Sequence, residues 1–194
     1  EPVRGVTGRA LPLGRANVDT DQIIPSHWLK RIERTGYGVG LFEAWRKDPS
    51  FVLNDGRYRG ANILIAGANF GCGSSREHAV WALQECGFRA VIAPTMADIF
   101  KSNAIKNGLV PIELSADAVS RLLAAVQADA TTSITVDVAA RTVTAPGVNA
   151  SFALADFLQT QLIEGLDEIA LTLRHEREIA AFETKRAEWL PRVT

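Results

Sequence analysis

The sequence predicts a mixed α/β fold, in which a mostly parallel sheet flanked by helices is followed by a β-hairpin and a helical tail. Three observations support this prediction. Buried-strand and helix patterns alternate over residues 61–127, two short alternating strands follow at 133–138 and 141–145, and a charged helical pattern begins near residue 156. Strand–helix alternation is typical of parallel strands covered by helices. We therefore predict a single domain over 1–194, with a C-terminal helical extension over about 156–194.

The individual elements are predicted from the spacing of the hydrophobic residues and from glycines that mark the ends of helices and strands. Residues 1–16 predict a strand or the start of a loop, and the glycines at 36, 38 and 40 predict a mobile loop before a short helix. Ser74 or Ser75 is expected to cap the next helix, and Thr95 with Asp98 has the spacing of a capping box. In chain order the predicted elements are a helix at 41–46, a strand at 62–66, a helix at 74–86, a strand at 90–93, a helix from 98 to about 107, a strand at 109–114, a helix at 116–127 and the hairpin joined at Ala139 and Ala140.

The composition argues against several classes of function. Of the 194 residues, 47% are hydrophobic and 22% charged, and the formal net charge is −1, so no basic surface for nucleic acid is expected. The longest apolar runs are too short to span a bilayer, and the first residues lack the apolar core of a signal peptide. Two cysteines do not make a disulfide framework. We therefore expect a cytoplasmic protein without a nucleic-acid or membrane partner.

The stretch FGCGSSREH, residues 70–78, is the strongest local signal. A glycine-rich turn from a strand into a helix leaves amide N–H groups at the positive end of the helix dipole, which suits an anion. The stretch is not a P-loop because no lysine follows Gly73, and it is not a dinucleotide-binding motif because Arg76 stands at the third glycine position. It is not a nucleophile elbow because Ser74 directly follows Gly73, and the cysteines and histidines match no metal-site spacing.

Two interpretations of this stretch remain open. In the first, the glycines only allow a tight turn and a serine caps the helix. In the second, Arg76 binds a carboxylate bidentately while Ser74 acts on a neighbouring proton, with its alkoxide stabilised by the surrounding donors.

Five stretches together resemble a known family. They are GSSREH at 73–78, NVDTDQIIP at 17–25, TGYGVGLFEAWR at 35–46, DIFKSNAIKNGLVPIEL at 98–114 and GLDEIALTLRHEREIAAFE at 165–183. The sequence resembles the small subunits of 3-isopropylmalate dehydratase and, more widely, the swivelling β/β/α domain of the aconitase superfamily. The likeness extends over nearly the whole chain. It implies one half of a hydro-lyase that interconverts 2-isopropylmalate and 3-isopropylmalate in leucine biosynthesis and is active only with its large subunit.

The resemblance also implies a role for each matching residue. Ser74 would be the base that removes and returns the proton α to a carboxylate. Asp21 would be catalytic, near the reacting hydroxyl and water. Arg76 and Ser75 would contact the substrate, and Arg31 and Arg34 are both candidates for a second carboxylate-binding arginine beside a specificity loop over about 30–38.

The family's 4Fe–4S cluster is held by three cysteines of the large subunit, where its open iron would act as a Lewis acid. We therefore expect no cofactor and no metal on this chain. The expected partners are the large Fe–S subunit, in a heterodimer or heterotetramer, and a small hydroxy-dicarboxylate.

Other assignments remain as alternatives. The chain could belong to a related hydro-lyase acting on homoaconitate, citraconate, methylmalate or dimethylmalate, or be a non-catalytic anion-binding module. For His78 a structural role at the start of a helix is the simpler interpretation. For Asp19 we expect a hydrogen bond within a turn rather than a metal pair with Asp21.

Overall fold

The fold is built around one mixed sheet in the residues that the computed structural model describes, which are 1–33, 35–187 and 189. The strands are β1 (Gly5–Pro12), β2 (Ile63–Ile65), β3 (Ala90–Ala93), β4 (Val110–Glu113), β5 (Ser133–Asp137), β6 (Thr142–Ala145) and β7 (Val148–Ser151). The α-helices are α1 (Thr20–Ile23), α2 (Glu43–Arg46), α3 (Glu77–Glu85), α4 (Asp98–Lys106), α5 (Ala116–Ala128), α6 (Asp156–Glu164), α7 (Glu168–Leu173) and α8 (Glu176–Thr184).

The seven strands lie in the order β4-β3-β2-β1-β5-β6-β7. Strands β1 to β4 pair in parallel, whereas β1–β5, β5–β6 and β6–β7 pair in antiparallel fashion. Every residue of β2 and β3 is buried, as expected where helices cover both faces, while β5 alternates between exposed and buried positions. The predicted fold class is therefore confirmed, with the parallel part formed by the first four strands.

Strand β1 joins the two halves of the sheet. Its first residues pair with β5, and Ala10 to Pro12 pair with β2. At the change of partner, a Cβ on Gly8 would lie 2.1 Å from Asn62 Oδ1, so a larger residue there would displace the Asn62 side chain. The side-chain amide of Asn62 donates to Thr7 O at 3.1 Å across the same junction.

The main helices end where the sequence predicts. Gly87 and Gly108 directly follow the ends of α3 and α4 with φ of +94° and +76°, which is the left-handed conformation that glycine tolerates at a helix end. At the start of α5, Ser115 Oγ accepts from the amide of Ala118 at 3.2 Å.

One predicted helix start and two predicted caps are wrong. Helix α3 begins at Glu77 rather than Ser74, and its N-cap is Arg76, in extended conformation and without a side-chain cap. Neither Ser74 nor Ser75 therefore caps it. Helix α4 is preceded by Ala97 instead of being capped by Thr95, because the Thr95 hydroxyl accepts from Asn69 N at 2.8 Å. A tertiary hydrogen bond thus takes the Thr95 hydroxyl away from the predicted cap.

The C-terminal half differs from its prediction in two further ways. The predicted hairpin is present as β5 and β6, and β7 extends it through the tight turn at residues 146–147, which was not predicted. The helical extension is divided into α6, α7 and α8, with Gly165 in left-handed conformation after α6. Glu188 and residues 190–194 of the predicted extension lie outside the described residues. In the described part of the chain, no helix is long and apolar enough to cross a membrane.

Candidate active site

The candidate site forms where two loops meet beyond the carboxyl ends of β1 and β2. Thr20 N donates to Cys72 O at 2.9 Å and Gly71 N to Val18 O at 2.8 Å, so the loops pair like short parallel strands. The Thr20 hydroxyl adds a bond of 2.8 Å to Ser74 O. Because β1 and β2 are parallel neighbours, the loops that follow them leave the sheet at the same edge, where open α/β sheets commonly bind ligands.

Glycines give the second loop its shape. Gly71 and Gly73 have φ of +72° and +89°, and a Cβ on Gly71 would lie 2.4 Å from Cγ of Phe100. The turn therefore requires glycine, as the first interpretation of FGCGSSREH proposed. That requirement does not account for the serines that follow.

Ser74 and Ser75 are exposed immediately after this turn. Within the described part of the chain, neither hydroxyl takes part in a hydrogen bond, and the amides of residues 74–76 donate none. Extended backbone before α3 leaves these donors outside the helix. The result is a row of available N–H and O–H groups of the kind that binds a carboxylate or stabilises an oxyanion.

Arg76 and Asp21 form a bidentate ion pair across the site. Arg76 Nη1 donates to Asp21 Oδ1 in a short contact, and Nη2 donates to Asp21 Oδ2 at 3.0 Å. A longer bond of 3.4 Å joins Nη1 to Ile24 O. The Arg76 side chain is 12% exposed and that of Asp21 is 56% exposed, so the guanidinium is held against the protein and the carboxylate faces solvent. Sequence reasoning selected both residues but did not foresee the pair.

Asp19 fixes the short helix that carries Asp21. Its Oδ1 accepts from Gln22 N at 2.8 Å, and Gln22 Oε1 accepts from Asp19 N at 3.0 Å, forming a reciprocal capping box. The expectation that Asp19 hydrogen-bonds within a turn is confirmed.

Two arginines in the following loop, Arg31 and Arg34, are the candidates for binding the second carboxylate. Arg31 Nη1 donates to Gly36 O at 3.3 Å, and its guanidinium lies over the rings of Trp28 and Tyr37 at 5.4 and 5.9 Å. Arg34 lies outside the described residues. The assignment of the second carboxylate-binding arginine therefore stays a prediction.

His78 lies in an aromatic cluster rather than at the end of a hydrogen-bonded relay. Its ring centroid is 5.1 Å from that of Tyr37 and 4.7 Å from that of Trp81, both in edge-on geometry. Burial among these rings lowers the pKa of the imidazole below its ordinary value. This environment favours the structural role expected for His78.

The cysteines do not form a ligand set for an iron–sulfur cluster. The half-buried Cys86 thiol donates to Gly38 O at 3.2 Å, and burial raises its pKa, which disfavours the thiolate that a metal requires. Cys72 is in the glycine loop, and no group of three or more potential metal ligands is found among the described residues. The residues of this chain thus do not fit a cluster held by three cysteines.

Comparisons with known proteins agree with the geometry. Residues 1–117 match the family model described as the aconitase C-terminal domain, and residues 168–193 match that of the C-terminal domain of the 3-isopropylmalate dehydratase small subunit. The chain is 64% identical over 185 residues to the 3-isopropylmalate dehydratase small subunit of Parafrankia sp. (strain EAN1pec), covering 95% of each chain. This chain belongs to the 3-isopropylmalate dehydratase small-subunit family.

Other members of the family support the same placement. The small subunit from Rubrobacter xylanophilus is 58% identical over 193 residues, covering 100% of this chain and 99% of the relative. The crystal structure of 3-isopropylmalate dehydratase from Methanocaldococcus jannaschii superposes with a TM-score of 0.64 at 26% identity, covering 92% of this chain and 99% of that one. The family and the fold that the sequence resembled are both confirmed.

Proposed function

We propose that this chain is the small subunit of a two-subunit hydro-lyase that interconverts 2-isopropylmalate and 3-isopropylmalate by dehydration and rehydration in leucine biosynthesis. One observation carries the proposal: a well-buried arginine, Arg76, is oriented by Asp21 and stands two residues after Ser74, whose side chain is exposed. This arrangement can bind a carboxylate and place a proton acceptor close to its α-carbon.

Arg76 binds one carboxylate of the substrate in this proposal. A guanidinium has five N–H donors, and the bonds to Asp21 and Ile24 leave some of them for a ligand. The free amides of residues 74–76 add donors from the other side. Arg31 or Arg34 would take the second carboxylate, since a dicarboxylate calls for two cationic contacts.

Ser74 exchanges the proton α to that carboxylate. The Ser74 oxygen forms an O–H bond with that proton, the C–H electron pair becomes part of the new double bond, and the hydroxyl on the adjacent carbon leaves as water with a proton donated from Asp21. A serine acts as a base only if its alkoxide is stabilised, and Arg76 with the neighbouring amides supplies that stabilisation. Rehydration returns the proton from Ser74 with water added at the other carbon.

Asp21 serves at the hydroxyl end of the same site. One oxygen of its exposed carboxylate can carry a proton for the departing or returning water while the other oxygen keeps its bond to the Arg76 guanidinium. Its role is thus both catalytic and orienting.

The site is incomplete without a partner chain. Ser74 and Ser75 lie on an open surface, and the cavity between α4 and α6 lies elsewhere and is lined by neither serine. We place the missing wall on the large subunit. The iron–sulfur cluster, for which Cys72 and Cys86 are an unsuitable ligand set, also belongs there.

Anaerobic reconstitution with the cognate large subunit tests this function. Formation of the unsaturated diacid from 2-isopropylmalate is followed by absorbance for wild type, Ser74→Ala and Ser75→Ala. We expect Ser74→Ala to lower kcat by about 10²- to 10⁴-fold, the usual contribution of a positioned base. Ser75→Ala, which removes only a contact, should mainly raise KM.

Exposed Ser120 on α5 supplies a control, since Ser120→Ala should leave both constants unchanged. A Ser74→Ala enzyme within twofold of wild type would remove Ser74 as the base. Activity confined to homoaconitate, citraconate, methylmalate or dimethylmalate would keep the chemistry and change the substrate. No activity on any hydroxy-diacid, with the complex assembled, would favour the anion-binding module.

A further inference from the structure

Backbone groups of the loop that precedes α2 form hydrogen bonds with side chains at the C-terminal end of α3. We define this root as residues 36–39. Gly36 N donates to Glu85 Oε1 at 2.9 Å and Gly38 N donates to Glu85 Oε2 at 2.8 Å, so one carboxylate holds both amides. Cys86 Sγ donates to Gly38 O at 3.2 Å. The two oxygens of one carboxylate therefore hold the backbone that leads into the short 3₁₀ helix Gly38–Gly40.

Glycine at both positions brings the backbone close enough for these bonds. Gly36 has φ of +87°, which disfavours other residues, and a Cβ on Gly38 would lie 3.0 Å from Cβ of Glu85. Between them, Tyr37 is 1% exposed and packs edge-on against His78. The root is thus held to α3 near both ends of the helix.

Helix α3 connects this root to the candidate site. Its N-cap is Arg76, and its last residue is Glu85. A helix of nine residues is rigid over about 13 Å, so whatever is fixed to it keeps a constant distance from Arg76. On the other side of the root, Arg31 Nη1 donates to Gly36 O at 3.3 Å and the Tyr37 hydroxyl donates to Glu33 O at 3.0 Å, whereas the side chain of Ile32 is 97% exposed.

We propose that Glu85 is a positioning residue for substrate binding: by holding the amides of Gly36 and Gly38, it sets the placement of the loop residues 30–33 relative to Arg76. The inference rests on the proposed function, because it assigns that loop to substrate. Glu85 touches no reacting atom and acts only through the backbone that it holds.

Removing the Glu85 carboxylate should change the fraction of molecules whose loop is in the binding-competent conformation, and should leave the chemical step itself unchanged. When only a fraction of loops is in the binding-competent conformation, the apparent dissociation constant rises in inverse proportion to that fraction. Loss of the two charge-assisted bonds should therefore raise KM and spare kcat, because the proton transfer at Ser74 is unchanged once the substrate is bound.

The first test needs no activity. Hydrogen exchange of the Gly36 and Gly38 amides is compared in wild type and Glu85→Gln, whose side-chain NH₂ cannot accept from the second amide. We expect exchange at both amides to accelerate by about tenfold or more, on the order expected for losing one hydrogen bond to a charged group. The Phe42 amide, bonded to Ile23 O at 2.8 Å, should keep its protection.

The second test uses the assembled enzyme. For Glu85→Gln we expect KM for 2-isopropylmalate to rise about tenfold with kcat within about twofold of wild type. Glu183→Gln on α8 removes the same charge from an exposed position far from the loop root in sequence and should change neither constant. Gly36→Ala, which strains the same root, should raise KM in the same way, and its effect should be less than additive with Glu85→Gln.

The outcomes separate the two proposals. Unchanged exchange at Gly36 and Gly38, or an unchanged KM in an otherwise active Glu85→Gln enzyme, would overturn the role of Glu85 alone. A fall in kcat without a rise in KM would also overturn it. A wild-type complex without activity on hydroxy-dicarboxylates would instead overturn the proposed function.

Discussion

At the scale of single residues, Arg76 and Asp21 show how two side chains far apart in sequence come together in one candidate site. Neither the glycine turn nor the NVDTDQIIP segment contains a complete site. The bidentate contact joins them and leaves Arg76 12% exposed, so its charge is presented in one direction only. An arginine held in this way loses little further freedom when a carboxylate binds, which favours tight and oriented binding.

His78 gives a prediction at the same scale. Burial lowers its pKa below 6.5, so the unfolded chain takes up a proton before the folded one as pH falls. Stability should therefore be greatest above about pH 6.5 and decrease as pH falls through the folded pKa. In His78→Gln this component is absent, and the difference between the stabilities at pH 8 and pH 5.5 should become smaller than in wild type.

Urea denaturation at the two pH values measures that difference. His175, which is exposed, is the matched control, because His175→Gln should keep the wild-type dependence. Equal pH dependence in wild type and His78→Gln would show that the aromatic cluster does not disfavour the imidazolium.

At the scale of elements, α1 has four residues and depends on its cap. The capping box between Asp19 and Gln22 compensates for the few internal hydrogen bonds of so short a helix, and thereby fixes Asp21 against Arg76. The main contribution of α1 is therefore the orientation that it gives to the Asp21 carboxylate, rather than its own stability.

Removal of the cap should affect both stability and activity. We expect Asp19→Ala to lower the free energy of unfolding by about 1 kcal/mol, the usual contribution of an N-cap. Because Asp21 loses its support, the activity of the assembled enzyme should fall as well.

Ser115→Ala is the matched control for that variant, since it removes the N-cap of α5, a helix outside the candidate site. It should cost a similar free energy in chemical denaturation and leave kcat/KM unchanged. Equal activity losses in both variants would mean that Asp19 acts through general stability rather than through Asp21.

At the scale of the whole molecule, the central parallel strands form the frame from which both site loops extend. Strand β2 pairs with β1 on one side and β3 on the other, and all its residues are fully buried. The loops after β1 and β2 are placed by that frame, so disruption of the frame should remove the site and the stability together.

Leu64→Ala tests the dependence on the frame. Truncating this fully buried side chain should lower the free energy of unfolding by about 3 kcal/mol, because it removes apolar contacts and leaves a cavity. Ile63→Val, on the same strand, should cost only about 1 kcal/mol. A loss below about 1 kcal/mol for Leu64→Ala in urea denaturation would contradict the central role of β2.

The sequence by itself determined the family, the parallel strands and most helix ends, because these depend on local patterns. The runs of apolar residues in β2 and β3 are stable only when they are buried. Gly87 and Gly108 end helices because glycine readily adopts a positive φ, a local property of the residue. It also selected Ser74, Arg76 and Asp21. Their roles remain proposals, whereas their proximity is a property of the fold.

Only the tertiary structure decided how those residues are used. Ser74 and Ser75 do not cap α3, because the helix begins only at Glu77 after Arg76 in extended conformation, while the loop before them pairs with the residues around Asp19. Glu85 was not recognised in the sequence because its partners are backbone amides 47 and 49 residues away, and amide groups carry no residue-specific signal. Local propensity is encoded over a few residues, but hydrogen bonds between distant segments exist only after the sheet has brought those segments together.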